Sequence, residues 1–170
     1  MYMTDFIYNY LPTRYEATEA DWSARRAIWN FKDGHMSESL YQAILSKIRN
    51  IIPSSHQDWV IAFIPASTGE RTRMRFGRLA ERLSGEYNVQ LAAVYNAEDR
   101  ASTMATGKIA DPTKTFGIHD NLIKGKKVLL FDDVTTTGRS FTRTADKLMT
   151  HGAAGVHGLF IGKTIHPDYY

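Results

Sequence analysis

The stretch VLLFDDVTTTGRS, from Val128 to Ser140, decides how this sequence is expected to fold. Its four leading apolar residues predict a buried strand, and a helical pattern begins at Ser140. Between them stand two aspartates, three threonines, a glycine and an arginine. A structural turn needs only one capping residue before the helix, so this concentration of carboxylates and hydroxyls indicates a ligand site.

The loop before the predicted helix has the chemistry of an anion site. A helix N-terminus carries unpaired N–H groups and a partial positive charge, so it binds anions. Gly138 allows the backbone to approach a ligand closely. Additional hydroxyl donors stand at Thr135, Thr136, Thr137 and Ser140. We predict that this loop binds a phosphate monoester.

Asp132 and Asp133 precede this loop directly and would repel a bare phosphate. They fit a ligand that also carries hydroxyls or Mg²⁺, because carboxylates accept hydrogen bonds from hydroxyls and magnesium prefers oxygen ligands. The residues therefore predict a sugar phosphate with a bound metal. The P-loop and the dinucleotide-binding fingerprint are excluded, since neither glycine pattern occurs in the sequence.

Apolar runs alternate with helical patterns along the second half of the chain. This alternation predicts an α/β fold, a central parallel sheet flanked by helices with its ligand at the carboxyl ends of the strands. Aromatic residues near the start are expected to serve core or edge packing: Phe6, Tyr8, Tyr10 and Tyr15. We predict strands over Trp59–Pro65, Val89–Tyr95, Lys127–Phe131 and Gly155–Lys163, and helices over Ala24–Phe31, Ser37–Ile52, Glu70–Leu83 and Ser140–Thr150.

The bulk composition is that of one domain of 170 residues without cysteine. The lack of cysteine excludes disulfides, thiolate zinc sites and a cysteine nucleophile. No apolar run approaches the ~20 residues of a membrane span, and the N-terminus does not read as a secretory signal. We expect a cytoplasmic protein without a membrane partner. The net charge of +3 suits an anionic small molecule as well as a nucleic acid.

The stretch from Val128 to Ser140 resembles the phosphoribosyl-diphosphate (PRPP) binding motif of type I phosphoribosyltransferases. The shared features are four hydrophobic residues, two acids and a T-G-x-[S/T] turn. The resemblance implies that Asp132 and Asp133 are the catalytic acids, which contact the ribose hydroxyls and help to place Mg²⁺, directly or through water. It implies that the 5-phosphate of PRPP is held by Thr135, Thr136, Thr137, Gly138, Arg139 and Ser140.

Two other loops fall where that family has functional loops. The segment PASTGERTR after the first predicted strand is similar to the family's pyrophosphate loop, which points to Ser67, Thr68, Gly69 and Arg71. The long polar stretch Asn96–Lys126 corresponds to the flexible loop that closes over the active site. Its expected phosphate-neutralising residues are Arg100, Lys108 and Lys114, with a solvated loop charge as the alternative at each.

The resemblance implies a phosphoribosyltransferase that displaces pyrophosphate from PRPP with a nitrogen nucleophile, for which a nucleobase is expected. It also implies a homodimer. We expect one domain, with a core of about residues 55–163 and a helical extension over 1–54. The hood is expected to come from this extension, from the C-terminal tail, or from both. In 6-oxopurine enzymes of this fold an aspartate matches Thr136, so hypoxanthine and guanine are not the expected acceptors.

Within the family, the sequence is most similar to the ComF-like branch, on AIWNFKDG (Ala27–Gly34) and RMRFGRLAERLS (Arg73–Ser84). The cysteine zinc module of that branch is absent. The alternative function is a non-catalytic PRPP-binding regulator or a nucleic-acid-associated protein of competence and DNA uptake. An arginine stripe on one predicted helix leaves nucleic acid open as a partner: Arg71, Arg75, Arg78 and Arg82. We expect Arg71, and also Arg75, to be able to reach a ligand, and the rest to be solvated.

Overall fold

The computed structural model describes residues 1–98 and 111–167. Within these ranges, a short 3₁₀ helix over Pro112–Thr115 accompanies six strands and five α-helices. In chain order they are β1 (Met3–Tyr10), α1 (Glu19–Lys32), α2 (Glu38–Ile51), β2 (Trp59–Phe63), α3 (Gly69–Leu83), β3 (Val94–Asn96), β4 (Phe116–Ile118), α4 (Asp120–Ile123), β5 (Lys127–Thr135), α5 (Arg139–Thr150) and β6 (Gly155–Thr164).

The apolar run of β5 lies in the middle of a four-stranded sheet of order β1-β6-β5-β2. All three pairings are parallel, and Leu129 has partners on both sides, Ile61 in β2 and His157 in β6. A strand that is buried on both faces needs a continuous apolar run, and Val128 to Phe131 are at most 1% exposed. The predicted fold class, a central parallel sheet flanked by helices, is confirmed.

Helices cover both faces of this sheet. Ile28 of α1, Ile44 of α2 and Phe76 of α3 belong to the core on one face. Phe141 and Leu148 of α5 belong to the core on the other face. Successive residues of a strand point to opposite faces, so the alternating apolar residues of β5 are divided between the two cores. Burial of each such large side chain contributes about 1.5–3 kcal/mol to stability.

The edge strand β1 is the main element that the sequence pattern did not predict. It pairs with β6 from Met3 opposite His157 to Tyr10 opposite Thr164. Its aromatic side chains are half-buried against the two cores, as expected for edge packing. The N-terminal segment therefore extends the central sheet. The division into a core of about 55–163 and a hood extension over 1–54 stays a prediction.

Two predicted strands have other bounds in the structure. In place of one strand over Val89–Tyr95, Val89 forms a single parallel bridge with Ile61, and β3 begins at Val94 and pairs antiparallel with β4. The strand predicted to end at Phe131 continues to Thr135, because the backbone of β5 keeps its pairing with β6 through the two aspartates. The acids therefore lie in the strand and not in the loop after it.

Capping residues set where the first two helices begin. Thr18 and Asp21 form a capping box, which starts α1 earlier than the predicted Ala24. The Ser37 hydroxyl accepts the N–H of Leu40, so α2 begins where its sequence predicts. Among the described residues, no helix has the length and apolar content needed to cross a membrane.

Close packing of β6 against α5 predicts that Gly158→Ala destabilises the fold. A Cβ at Gly158 would lie 2.7 Å from Cε2 and 2.8 Å from Cζ of Phe141, and 3.0 Å from Cγ2 of Thr4. The Phe141 ring is buried and cannot move without opening the core. We expect the free energy of unfolding, measured by urea denaturation, to fall by about 1–3 kcal/mol.

Gly155→Ala is the matched control for this substitution. Gly155 begins the same strand, and no described atom that could clash lies within 4 Å of a Cβ placed there. An equal loss of stability in both variants would show that the contact with Phe141 is not the cause.

Candidate functional site

The carboxyl end of β5 leads into a loop that is shaped to present backbone N–H groups. Gly138, the N-cap of α5, has φ +80°, a left-handed conformation that favours glycine. No side chain of the described residues caps this helix in the usual way. The N–H of Arg139 donates to the Thr137 hydroxyl at 3.3 Å, and the other amides of the first turn are available to an anionic ligand.

A cavity of about 180 Å³ opens at this loop. It brings together all six residues predicted to hold a phosphate and one of the two predicted acids. The Thr136 hydroxyl also lies 2.9 Å from that of Thr164, which ties the loop to the end of β6. The cavity is lined by Asp132, Val134, Thr135, Thr136, Thr137, Gly138, Arg139, Ser140, Phe141 and Phe160.

A larger cavity of about 540 Å³ adjoins the first and runs between α5 and β1. The two share the loop residues from Thr135 to Gly138. Lys163 lines the larger one, with Nζ 5.6 Å from the ring centroid of Phe6. Sequence reasoning missed Lys163. Lys163 could have been found from the sequence, because it ends the strand predicted over Gly155–Lys163 and ligands of parallel sheets bind at the carboxyl ends of strands.

The two neighbouring aspartates of β5 have different surroundings. Asp132 is half-buried on the wall of the smaller cavity, and its Oδ1 accepts the N–H of Asp133 at 2.8 Å. The Asp133 side chain is 7% exposed. Its Oδ2 lies 3.4 Å from Nζ of Lys32 and 3.8 Å from Nη1 of Arg75. One acid thus faces the cavity, and the other faces two cations.

These surroundings shift the two carboxyl groups in opposite directions. Burial, followed by the charge of Asp133, raises the pKa of Asp132 well above its ordinary value. Burial also acts to raise the pKa of Asp133. The hydrogen bond with Asp132 and the charges of Lys32 and Arg75 outweigh it and hold the pKa of Asp133 below its ordinary value. Asp133 is therefore the member of the pair that ionises first.

The predicted pyrophosphate loop after β2 is held by a hydrogen-bond network. The Thr68 hydroxyl accepts the N–H of Arg71 at 3.1 Å and so caps α3. Thr72 is buried, and its hydroxyl donates to the Thr68 carbonyl and accepts the N–H of Ala66. Asn96 donates from Nδ2 to the Ala66 carbonyl at 2.7 Å. Sequence reasoning did not single out Thr72, although it lies within the quoted loop segment, and it missed Asn96, since nothing local links Asn96 to the loop.

The remaining predicted site residues have different exposures. Arg71 is exposed at the start of α3, and Lys114 is exposed in the 3₁₀ helix. Ser67, Thr68 and Gly69 are half-buried. Arg100 and Lys108, the other residues predicted to neutralise phosphate, lie outside the described residues.

The arginine stripe of α3 is only partly a solvated face. Arg71 and Arg78 are exposed. Arg82 donates to both carboxylate oxygens of Glu38 in α2, at 2.7 and 3.1 Å, and lies 3.5 Å from the ring centroid of Tyr41. Arg82 therefore joins two helices. Arg75, the fourth arginine of the stripe, is half-buried and faces the acid pair, with Nη1 3.8 Å from Asp133 Oδ2.

Comparison with known proteins adds a family match. The model of the phosphoribosyl transferase domain matches residues 37–160. An orotate phosphoribosyltransferase from Pyrococcus horikoshii is 41% identical over 83 residues. That alignment covers 49% of this chain and spans 38% of the length of the curated relative.

A solved structure gives a weaker likeness. It is an HPRT, the asparagine mutant in an analysis of an invariant aspartic acid in HPRTs. It matches with a TM-score of 0.42 and 10% identity, over 84% of this chain and 76% of that chain. This degree of likeness does not establish a shared fold, so the fold class follows from the sheet itself.

The opposite pKa shifts predict that Asp132→Asn stabilises the ligand-free protein at neutral pH. Folding raises the pKa of Asp132, so its favourable contribution is complete below the unfolded value of 3.8 and is lost as pH rises through the folded value. Asparagine carries no charge to bury. We expect a higher Tm than that of the wild type at about pH 7, and no difference below about pH 4.

Asp133→Asn is expected to have the opposite effect. Folding lowers the pKa of Asp133, so its ionised form stabilises the protein above the unfolded value of 3.8, and this is lost as pH falls through the folded value. The variant leaves Lys32 and Arg75 without their partner. We expect the free energy of unfolding at about pH 7 to fall by ~1–3 kcal/mol. Shifts of the same sign in both variants would contradict the assigned asymmetry.

Proposed function

The chain belongs to the phosphoribosyl transferase domain family, and we propose that it binds Mg²⁺–PRPP and transfers the phosphoribosyl group to a nitrogen of a nucleobase, with release of pyrophosphate. The observation that carries this proposal is the loop from Thr135 to Ser140. It combines a left-handed Gly138, the open N-terminus of α5 and a cavity with Asp132 on its wall.

The 5-phosphate of PRPP is assigned to this loop. First-turn amides of α5 and the surrounding hydroxyls can donate to the phosphate oxygens, and the helix dipole favours the negative charge. The cavity of about 180 Å³ has the size of a small polar group and not of a whole nucleotide. The sugar therefore extends from the loop towards Asp132.

The acid pair fits a magnesium ion that arrives with the substrate. Magnesium at phosphate sites takes one or two carboxylates and completes its shell with phosphate oxygens and water. The described residues contain no cluster of three or more side chains that could hold a metal alone. Asp133 Oδ2 is buried with no hydrogen-bond partner among them. Asp132 and Asp133 would hold the ion, directly or through water, and it would supply positive charge to the leaving pyrophosphate.

Pyrophosphate is assigned to the loop after β2. This loop lies beside the phosphate loop because β2 and β5 are neighbours in the sheet. Ser67 and Gly69 offer amides, and Arg71 offers a guanidinium suited to phosphate oxygens. Lys114, with Arg100 and Lys108, is proposed to neutralise the leaving group. Catalysis then consists of positioning and of electrostatic stabilisation as the bond at C1 breaks.

The acceptor is assigned to a hood built from the loop after β1 and the C-terminal tail. Arg25 is buried and fixes that loop, since it donates to the carbonyls of Leu11 and Pro12, each at 2.8 Å. Arg14 in the same loop has Nη2 3.4 Å from Nδ1 of His166 in the tail. This contact supports a hood made from both ends of the described chain.

Orotate is the first acceptor to test, because a curated relative is an orotate phosphoribosyltransferase. Hypoxanthine and guanine are disfavoured by the threonine at position 136. The homodimer, the cytoplasmic location and the ComF-like branch stay predictions.

Pyrophosphate release from PRPP tests the activity. We expect release in the presence of Mg²⁺ with one member of a panel of orotate, uracil, adenine, hypoxanthine and guanine. Chelation of magnesium should abolish it, because the leaving group then lacks its counter-charge. Tight PRPP binding without turnover on any base, together with salt-sensitive binding of DNA or RNA, would favour the non-catalytic regulator or nucleic-acid-associated protein instead.

Gly138→Ala tests the phosphate loop. A side chain at φ +80° strains the backbone and turns the first amides of α5 away from the ligand. We expect Mg²⁺–PRPP to bind at least about tenfold more weakly, as measured by calorimetry.

The control for that variant is Gly125→Ala. Gly125 also has a left-handed φ, +73°, and a Cβ there has as much space as one at Gly138. It should lose similar stability without a change in PRPP affinity. Equal losses of affinity would show that backbone strain lowers binding without any specific role of the loop.

A further inference from the structure

Two cations from different helices face the buried carboxylate of Asp133. Lys32 is the last residue of α1, and Arg75 lies in the second turn of α3. Their nitrogens are 3.4 and 3.8 Å from Asp133 Oδ2. The Arg75 side chain is 21% exposed and that of Lys32 43%. The end of β5 is therefore held by a helix of the N-terminal segment and by the helix that follows the proposed pyrophosphate loop.

Both contacts are ion pairs, but their geometry is not that of a hydrogen bond. Within residues 1–98 and 111–167, Asp133 Oδ2 and Arg75 Nε are buried side-chain atoms without a hydrogen-bond partner. Buried polar atoms nearly always have partners, so two unsatisfied atoms on facing side chains need an explanation. Arginine–carboxylate pairs are frequently two-pronged, and Arg75 does not complete such a contact with Asp133.

The charges also match what the proposed ligand requires. Two adjacent carboxylates repel each other, and together they repel PRPP, which is a polyanion. Lys32 and Arg75 offset the charge of Asp133 without entering the cavity beside the phosphate loop, since neither lines it. Their positive charges reduce the net negative charge at the end of β5, where the ligand is proposed to lie.

We infer that Lys32 and Arg75 are positioning residues, which act through Asp133 and hold its carboxylate at the end of β5 where the ribose and magnesium would lie. This inference rests on the proposed function. It replaces the expectation that Arg75 itself reaches the ligand. It also connects the acid pair to α3, whose first turn carries the residues assigned to pyrophosphate.

Arg75→Gln tests the inference by calorimetry with Mg²⁺–PRPP. We expect the affinity to fall about tenfold, because Asp133 loses a cation that orients it. Arg75→Lys keeps a positive charge and should bind within about threefold of the wild type. Arg78→Gln is the matched control, since Arg78 is exposed on the next turn of the same helix, and its affinity should not change.

A double-mutant cycle separates positioning from direct contact. In the Asp133→Asn background, Arg75→Gln should lower the affinity by less than about twofold, because the residue through which it acts is already gone. A further loss of about tenfold in that background would show that Arg75 touches the ligand itself, and the inference would be wrong.

The same double-mutant cycle is measured with Lys32→Gln, at the more exposed of the two positions. Circular dichroism shows whether Arg75→Gln folds, and if it does not, the Lys32→Gln cycle provides the test. A wild-type protein that does not bind Mg²⁺–PRPP would overturn the proposed function and the inference with it. A wild type that binds, with Arg75→Gln and Lys32→Gln variants that bind equally well, would overturn the inference alone.

Discussion

The parallel pairing of β5 with β2 on one side and β6 on the other is the constraint on which the rest of the structure depends. It buries an apolar run on both faces and brings three strand ends to one edge of the sheet. It also continues past the apolar run, so Asp132 and Asp133 are held by strand backbone and not by a loop. Groups fixed in this way keep their geometry without a ligand, as electrostatic catalysis requires.

Neighbouring positions in a strand point to opposite faces, and this explains why two identical side chains behave differently. Asp132 points to the cavity face, where burial outweighs the opposing charge of Arg75. Asp133 points to the face covered by α1 and α3, where Lys32 and Arg75 meet it. A single step along the chain thus separates a carboxyl group that resists ionisation from one that ionises readily. At the first of these positions, the proposed role in ligand binding and the stability of the free protein are opposed.

The elements that could be predicted are those whose signals are local. The apolar run of β5, Gly138 and the helical pattern that follows lie within one short stretch, so the strand, loop and helix were predictable together. The edge strand β1 was not, because a half-exposed edge has no continuous apolar run. Lys32 and Arg75 were not placed beside Asp133, since their contact depends on how two distant helices pack on the sheet.

The family match begins at residue 37, but the sheet does not. The residues before it supply β1, the edge partner of β6, and Ile28, whose Cδ1 would lie 2.6 Å from a Cβ on Gly162. The part of the chain that the family model matches is therefore smaller than the part that forms the sheet and its core. A fragment cut at the boundary of the match would keep every residue proposed to bind phosphate, yet it would expose an unpaired strand edge and the apolar surface on which α1 now lies.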